Sequence, residues 1–72
     1  MYNLEELQSG SSCTIIWLLG NIGKFLQDRL HLSLDDEISV LYNDGNSLII
    51  RHQNKKYALD SVSAHSIKVV LA

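Results

Sequence analysis

The sequence predicts a mainly β protein of five to six short strands, with one short α-helix between the first and second strands. Three observations support this class: a short β-branched and aromatic run near the start, a single stretch of helical periodicity, and later segments in which apolar and polar residues alternate between turns. The chain has 72 residues, 46% of them apolar, and we expect one domain over residues 1–72. A domain this small has to place nearly every aliphatic side chain in its core.

The first strand is predicted at residues 13–19. This run is apolar, β-branched and aromatic, and it is too short for a buried helix of ordinary length. Before it, Leu4 and Leu7 fit a single helical turn, and Gly10 can adopt the positive φ with which the chain reverses.

The helix is predicted at residues 21–31. Asn21 is a suitable N-cap, because its side-chain oxygen can accept a hydrogen bond from a free backbone N–H group of the first turn. Apolar residues behind it recur at helical spacing and predict one buried stripe. They are Ile22, Phe25, Leu26 and Leu30.

Three antiparallel strands are predicted in the second half of the chain. Residues 36–42 alternate with period two, and the Asn-Asp-Gly-Asn sequence at 43–46 is a strong turn signal. The return strand covers residues 47–52, a second turn lies at 53–54, and the third strand covers 56–59.

A last strand is expected to complete the sheet. Residues 60–65 are small and polar enough for one turn of 3₁₀ helix, and an alternating segment from Ile67 ends the chain. Because closure removes unpaired strand edges, a small SH3-like barrel fits these elements best. An open α+β sheet of the same elements is the alternative. A helix-turn-helix is disfavoured, because only one segment has helical periodicity.

The charge balance argues against nucleic acid as the partner. Six basic and eight acidic residues give a net charge of −2, whereas sequence-independent nucleic-acid binders are usually strongly basic. Acidic residues cluster at 35–37 and basic residues within 51–56. Both clusters fit solvated turn faces, and the alternative is a docking surface for a partner of opposite charge.

Neither membrane insertion nor an export signal is expected. The apolar run at residues 13–19 is far shorter than the ~20 residues that cross a bilayer, and Met1 is followed by Glu5 and Glu6 rather than by a basic leader. Cys13 is the only cysteine, which excludes an internal disulfide and fits a reducing compartment. We therefore expect a cytoplasmic protein.

No residue pattern predicts an enzyme or a cofactor. The residue types of a hydrolase triad occur together at Asp60, Ser61, Ser63 and His65. They crowd into one short segment, whereas a working triad needs its members arranged around a prepared oxyanion hole.

Potential zinc or iron ligands also lack a diagnostic spacing, and whether any of them binds metal stays open. They are Cys13, His31, His52 and His65.

Both ends of the chain carry the motifs of a known family. Leu4, Leu7 and Gly10 form a Leu-x-x-Leu-x-x-Gly pattern, followed by an apolar strand. A closing Leu-x-x-x-x-Ala-x-x-Ile-x-Val pattern is formed by Leu59, Ala64, Ile67 and Val69. In these motifs, and in the order of helix, hairpin and strand between them, the chain resembles the FeoA family of ferrous iron transport accessory proteins, which are small cytosolic SH3-like barrels.

The resemblance implies an irregular first strand. The family's inward-facing positions match Ile15 and Leu18, an offset of three that requires a strand irregularity after Ile15. Such an irregularity would turn Trp17 toward solvent.

The chain departs from the family at three glycine positions. After the helix the family usually has Leu-Gly-aliphatic and then Pro-Gly, where this chain has Leu30-His31-Leu32 and Leu34-Asp35. His31 therefore has to adopt or avoid the left-handed conformation that glycine takes easily. In the third hairpin the family's glycine is replaced by Asn54 or Lys55, of which asparagine tolerates positive φ better.

The resemblance implies an accessory protein of bacterial ferrous iron uptake that binds the cytoplasmic portion of FeoB, a membrane transporter with its own GTP-binding domain. Such a protein would bind and tune rather than catalyse, and the candidate partner-binding residues are Trp17, Leu19 and Leu41. Two alternatives stay open. One is a metal-binding sensor or chaperone that uses Cys13 and the histidines, and the other is a peptide- or RNA-binding module built on the hairpin at residues 51–56.

Overall fold

The computed structural model describes residues 1–72 and contains one antiparallel sheet of six strands. The strands are β1 Tyr2–Asn3, β2 Ser12–Leu18, β3 Glu37–Asn43, β4 Ser47–His52, β5 Lys55–Asp60 and β6 Ile67–Leu71. The helices are a 3₁₀ turn at Leu4–Glu6, α1 at Gly20–Leu30 and α2 at Ser61–Ala64. The mainly β class and the number of strands agree with the prediction.

Two elements differ from the prediction. The helix α1 follows the second strand rather than the first, because Tyr2 and Asn3 form a short additional strand that pairs with Val69 and Lys68 of β6. The turn predicted as 3₁₀ near the end of the chain is a single α-helical turn, α2. No helix has the length and apolar character needed to cross a membrane.

Neighbouring strands are hydrogen-bonded in the order β1-β6-β2-β3-β4-β5, and the sheet itself supplies most of the hydrophobic core. All strands except β1 contribute to the buried apolar cluster, whereas α1 contributes only one side chain, so the sheet has to curl to enclose the cluster. The edge strands β1 and β5 do not pair with each other, and α2 contacts both β5 and the 3₁₀ turn that follows β1. The cluster consists of Leu4, Leu7, Cys13, Ile15, Leu26, Leu32, Ile38, Val40, Leu48, Ile50, Leu59, Ala64, Ile67 and Val69.

A β-bulge divides β2 into two parts. Ile15 pairs with Val69 of β6, but the next β6 residue, Lys68, pairs with Trp17, so Ile16 is the extra residue. Upstream of the bulge Ile15 is fully buried, and downstream Leu18 packs partly against the core. Trp17 therefore points outward and is 55% exposed. The irregularity expected after Ile15 is confirmed.

The prediction that Asn21 caps α1 is wrong. Leu19 occupies the N-cap position in an extended conformation, and its carbonyl oxygen accepts a hydrogen bond from the Gly23 N–H at 2.8 Å. Because β2 ends at Leu18, the chain enters the helix almost directly from the strand. Asn21 consequently lies within the first turn and is exposed.

The buried stripe of α1 is narrower than predicted. Leu26 is buried and Leu30 packs partly against the core, but Ile22 and Phe25 are 41% and 56% exposed. A Cβ atom on Gly23 would lie 2.6 Å from the carbonyl carbon of Leu18, so the helix rests on the β2 backbone through this glycine. Phe25, two residues further on, lies roughly 160° around the helix axis and faces away from the sheet.

Non-glycine residues take the left-handed conformation at the two positions after the helix that were matched to family glycines, and at Asn54, one of the two residues matched to the third. His31, Asp35 and Asn54 have φ values of 57°, 72° and 68°. Gln53 also has a positive φ, of 50°, and two such residues in succession are typical of the tight turn that joins antiparallel strands such as β4 and β5. Because side chains disfavour this region, the surrounding contacts have to hold these backbones in place.

The Asp60 carboxylate caps α2 by accepting a hydrogen bond from the backbone N–H of Ser63 at 2.7 Å. Hydrogen bonds from the Ser63 hydroxyl and backbone hold the pKa of Asp60 below its usual value. The folded state therefore binds a proton at this group less readily than the unfolded chain does. The resulting contribution to stability is present above the unfolded pKa, about 3.9, and disappears as the pH falls through the lower folded pKa.

We expect Gly23→Ala to lower the free energy of unfolding by about 1–3 kcal/mol, because the new methyl group collides with the Leu18 backbone. Asn21→Ala is the matched control on the same helix, since Asn21 is exposed and makes no cap, and it should change stability by less than about 0.5 kcal/mol. Chemical denaturation monitored by circular dichroism measures both. Equal stability of the two variants would contradict the close contact between α1 and β2.

The cap also predicts a pH dependence. Asp60→Asn keeps a hydrogen-bond acceptor but cannot titrate, so its melting temperature should fall less steeply than that of the unmodified protein between roughly pH 5 and pH 2. Asp60→Ala removes the cap and should melt at a lower temperature at neutral pH as well. An unchanged slope in Asp60→Asn would show that the cap does not contribute to acid sensitivity.

Candidate protein-binding groove

An apolar groove of about 450 Å³ lies where the end of β2, α1 and the loop before β3 meet. We call it the Trp17 groove, and its lining residues are Trp17, Leu18, Leu19, Gln27 and Leu34. Trp17 and Leu34 are more than half exposed, and Leu19 is 41% exposed. Gln27 contributes the polar side chain of an otherwise apolar lining.

Each wall of the Trp17 groove follows from a local feature of the chain. The bulge after Ile15 turns Trp17 outward. Leu19, the first residue after β2, is the N-cap of α1. Gln27 lies on α1, two turns from the helix start, and Leu34 lies in the loop between α1 and β3. The groove therefore combines side chains from a strand end, a helix and a loop.

The loop that carries Leu34 is fixed to β2 by backbone hydrogen bonds. The Asp35 N–H donates to the Ile15 carbonyl oxygen at 2.7 Å, and the Ile15 N–H donates to the Asp36 carbonyl oxygen at 2.9 Å. Leu32, two residues before Leu34, is fully buried in the core. Leu34 is thus held between a buried anchor and a backbone-bonded turn.

A second attachment connects this loop to β4. The Asp36 carboxylate lies 2.7 Å from Nε2 of His52, and the same carboxylate oxygen accepts a hydrogen bond from the Ser33 N–H at 3.0 Å. His52 is only 2% exposed and is the one polar side chain in the buried set. Its partner explains how a polar ring is accommodated there, since buried polar groups are destabilising unless they are hydrogen-bonded.

Two of the three residues predicted to bind a partner meet in the Trp17 groove. Trp17 and Leu19 both line it, whereas Leu41 is half-buried at the register shift of β3 between Val40 and Tyr42 and does not. Sequence reasoning missed Gln27 and Leu34. No local pattern marks Leu34, because its position depends on contacts that the loop makes with β2 and β4.

The potential metal ligands are dispersed. His31 ends α1, His52 pairs with Asp36, and the His65 Nδ1 atom lies 2.7 Å from Oε1 of Glu5. Cys13 is fully buried, with its thiol 3.7 Å from the Ile38 carbonyl oxygen. Burial, together with the negative charge of Glu37, raises the pKa of the Cys13 thiol to about 11. No three His, Cys, Asp or Glu residues form a group that could hold a metal ion.

The segment with the residue types of a hydrolase triad is structural in its contacts. Asp60 and Ser63 form the cap of α2, and the His65 backbone N–H donates to the Ser61 carbonyl oxygen at 3.0 Å. Glu5, Gly45, Ser61, Val62 and His65 surround a second, open depression of about 400 Å³. Within it His65 contacts Glu5, and no hydrogen bond joins His65 to the hydroxyl of Ser61 or Ser63.

Comparison with known proteins identifies the fold. No protein-family model and no curated protein matches the sequence. Among solved structures, an iron uptake regulatory protein, FeoA, matches with a TM-score of 0.84 and 22% identity, covering 97% of this chain and 95% of the other. A FeoA-like protein from Clostridium acetobutylicum matches with a TM-score of 0.85 and 18% identity, covering 96% of this chain and 84% of the other.

A manganese-dependent transcriptional repressor is also similar. Its TM-score is 0.83 at 17% identity, and 99% of this chain matches 41% of that protein. This chain therefore corresponds to less than half of the repressor but to nearly the full length of the FeoA structure. The protein has the fold of the FeoA proteins, as the sequence resemblance implied.

Proposed function

We propose that the protein is a small accessory protein of ferrous iron transport that binds the cytoplasmic portion of a FeoB-like membrane transporter through the Trp17 groove. Two independent lines support this proposal. The FeoA-like fold extends over almost the whole of both chains in the comparison, so the likeness is not limited to a shared subdomain. The motifs at the two ends of the sequence point to the same family.

The observation that carries the proposal is the outward position of Trp17. A chain of 72 residues needs its large apolar side chains for the core, yet the bulge in β2 leaves its single tryptophan 55% exposed. Trp17 is joined in the groove by Leu19 and Leu34, which are also exposed. Tryptophan is one of the residues enriched in protein-binding hot spots, and the exposed leucines beside it extend the apolar surface that a partner can cover.

The proposed mode of action is binding without chemistry. The groove is lined by four apolar side chains and one glutamine, none of which is an acid, a base or a nucleophile at neutral pH. A bound accessory protein can change transport only through a different affinity for two conformations of the transporter. We accordingly expect the protein to shift the transporter toward one conformation rather than to alter its chemistry.

The test is a titration of the isotope-labelled protein with the cytoplasmic portion of the transporter, followed by amide chemical shifts. Trp17→Ala should weaken binding by about 30-fold, the effect of removing a central aromatic anchor. Phe25→Ala is a closely matched control, because Phe25 is 56% exposed but lies on the part of α1 that faces away from the sheet. Its effect should be less than about fivefold.

Two results would overturn the proposal. One is the absence of binding at high micromolar concentration of the transporter portion. The other is an equal loss of affinity in Trp17→Ala and Phe25→Ala, which would place the contact outside the Trp17 groove.

The pair formed by His52 and Asp36 supplies a second prediction about the same groove. His52→Leu leaves the Asp36 carboxylate without its partner, so the loop should loosen, amide exchange at Ser33 should rise, and transporter binding should weaken. His52→Gln retains an N–H donor and should restore both properties in part. Faster exchange with unchanged affinity would show that the Leu34 wall does not contact the transporter.

A further inference from the structure

The outer edge of β5 has no partner strand, and the element that follows it, α2, also contacts β5. β5 is the last strand in the sheet order and pairs only with β4, from Ser47 opposite Asp60 to His52 opposite Lys55. The backbone N–H and C=O groups that point away from β4 therefore have no partner strand. Such an edge can accept an additional strand.

The charges at the Lys55 end of this edge are of one sign, and the one acidic residue of β5, Asp60, lies at the other end, where it caps α2. Arg51 on β4 lies directly opposite Lys56 on β5, and Lys55 precedes Lys56 at the strand end. These residues are three of the six lysines and arginines in a chain of net charge −2. None of them lies within 4.0 Å of a carboxylate, and the basic side chains that do are His52 and His65.

Protection of the edge explains only part of this arrangement. Lysines on an edge strand discourage pairing with other sheets, which accounts for Lys55 and Lys56. Arg51 lies on β4, one strand inside the edge, and like charges directly opposite each other destabilise an antiparallel pair. A negatively charged strand beside β5 would relieve this repulsion.

We propose that the β5 edge binds an extended, acidic segment of a partner protein, which adds to the sheet as a further strand. Main-chain hydrogen bonds to β5 would supply most of the affinity. Acidic side chains at every second position would face the side of the sheet that carries Lys56 and Arg51. This surface is separate from the Trp17 groove, so the inference does not depend on the proposed transporter function.

The observations favour an acidic peptide over RNA. Single-stranded nucleic acid binding combines a basic groove with exposed aromatic side chains on which the bases stack. β4 and β5 expose no aromatic side chain, because Tyr57, their one aromatic residue, is half-buried. Three cations in a net acidic protein are also few for phosphate-driven binding.

The probe is a capped seven-residue peptide of sequence Thr-Glu-Val-Glu-Val-Glu-Thr, titrated into the isotope-labelled protein. The amide shifts should change most along β5. A peptide with glutamine in place of every glutamate, and one with N-methyl groups on every second amide, should each bind at least about fivefold more weakly, because the first lacks the charges and the second the edge hydrogen bonds. Both controls leave the protein unchanged.

Protein variants provide the complementary test. The double variant Arg51→Glu/Lys56→Glu should weaken binding of the acidic peptide by about tenfold. The single variant Lys56→Glu should weaken it less and also raise the melting temperature, because opposite charges then face each other across β4 and β5. The control is Lys24→Glu, which changes the net charge by the same amount as Lys56→Glu but lies on the exposed surface of α1. It should leave binding nearly unchanged.

Four results would overturn the proposal. Equal binding of the glutamate and glutamine peptides would show that charge does not contribute to binding. Amide shifts confined to other strands would show that the peptide does not bind at the β5 edge. Concentration-dependent shifts in β5 without peptide would identify a second copy of the chain as the occupant. Tighter, competing binding of a ten-nucleotide oligouridine would identify RNA.

Discussion

The extra residue in β2 determines how the rest of the molecule is arranged. Ile16 shifts the register against β6, so Ile15 stays in the core while Trp17 emerges on the surface. The same shift places the Leu18 backbone where Gly23 can rest on it, and that contact orients α1. Without the bulge, period-two alternation would direct Trp17 to the same side as Ile15. The groove and the position of the helix therefore share one local cause.

Local patterns were sufficient for most strands. β3, β4 and β5 lie close to their predicted ranges, because alternation and turn residues are encoded within a few positions. β1 was missed because its only reason to be a strand is pairing with β6, more than sixty positions away. Helical spacing predicts Phe25 in the buried stripe because it gives the members of a stripe but not its direction, which the contact at Gly23 decides.

The candidate site likewise combines residues that local sequence predicts with a residue that only long-range contacts position. The motif offset after Ile15 was enough to predict that Trp17 faces solvent, and its neighbour Leu19 followed. Leu34 could not be predicted, because its place depends on the hydrogen bonds of Asp36 with β2 and with His52. Side chains in loops are positioned by such non-local contacts, and these leave no periodic trace in a sequence.

The exposed position of Trp17 has a practical consequence for spectroscopy. It is the only tryptophan, so intrinsic emission reports on the groove and not on the hydrophobic interior. Since Trp17 is already 55% exposed in the native state, unfolding changes its hydration less than it would for a buried tryptophan, and emission is a weak monitor of denaturation. Contact with an apolar ligand dehydrates the ring, and a blue shift then reports occupancy directly without any added label.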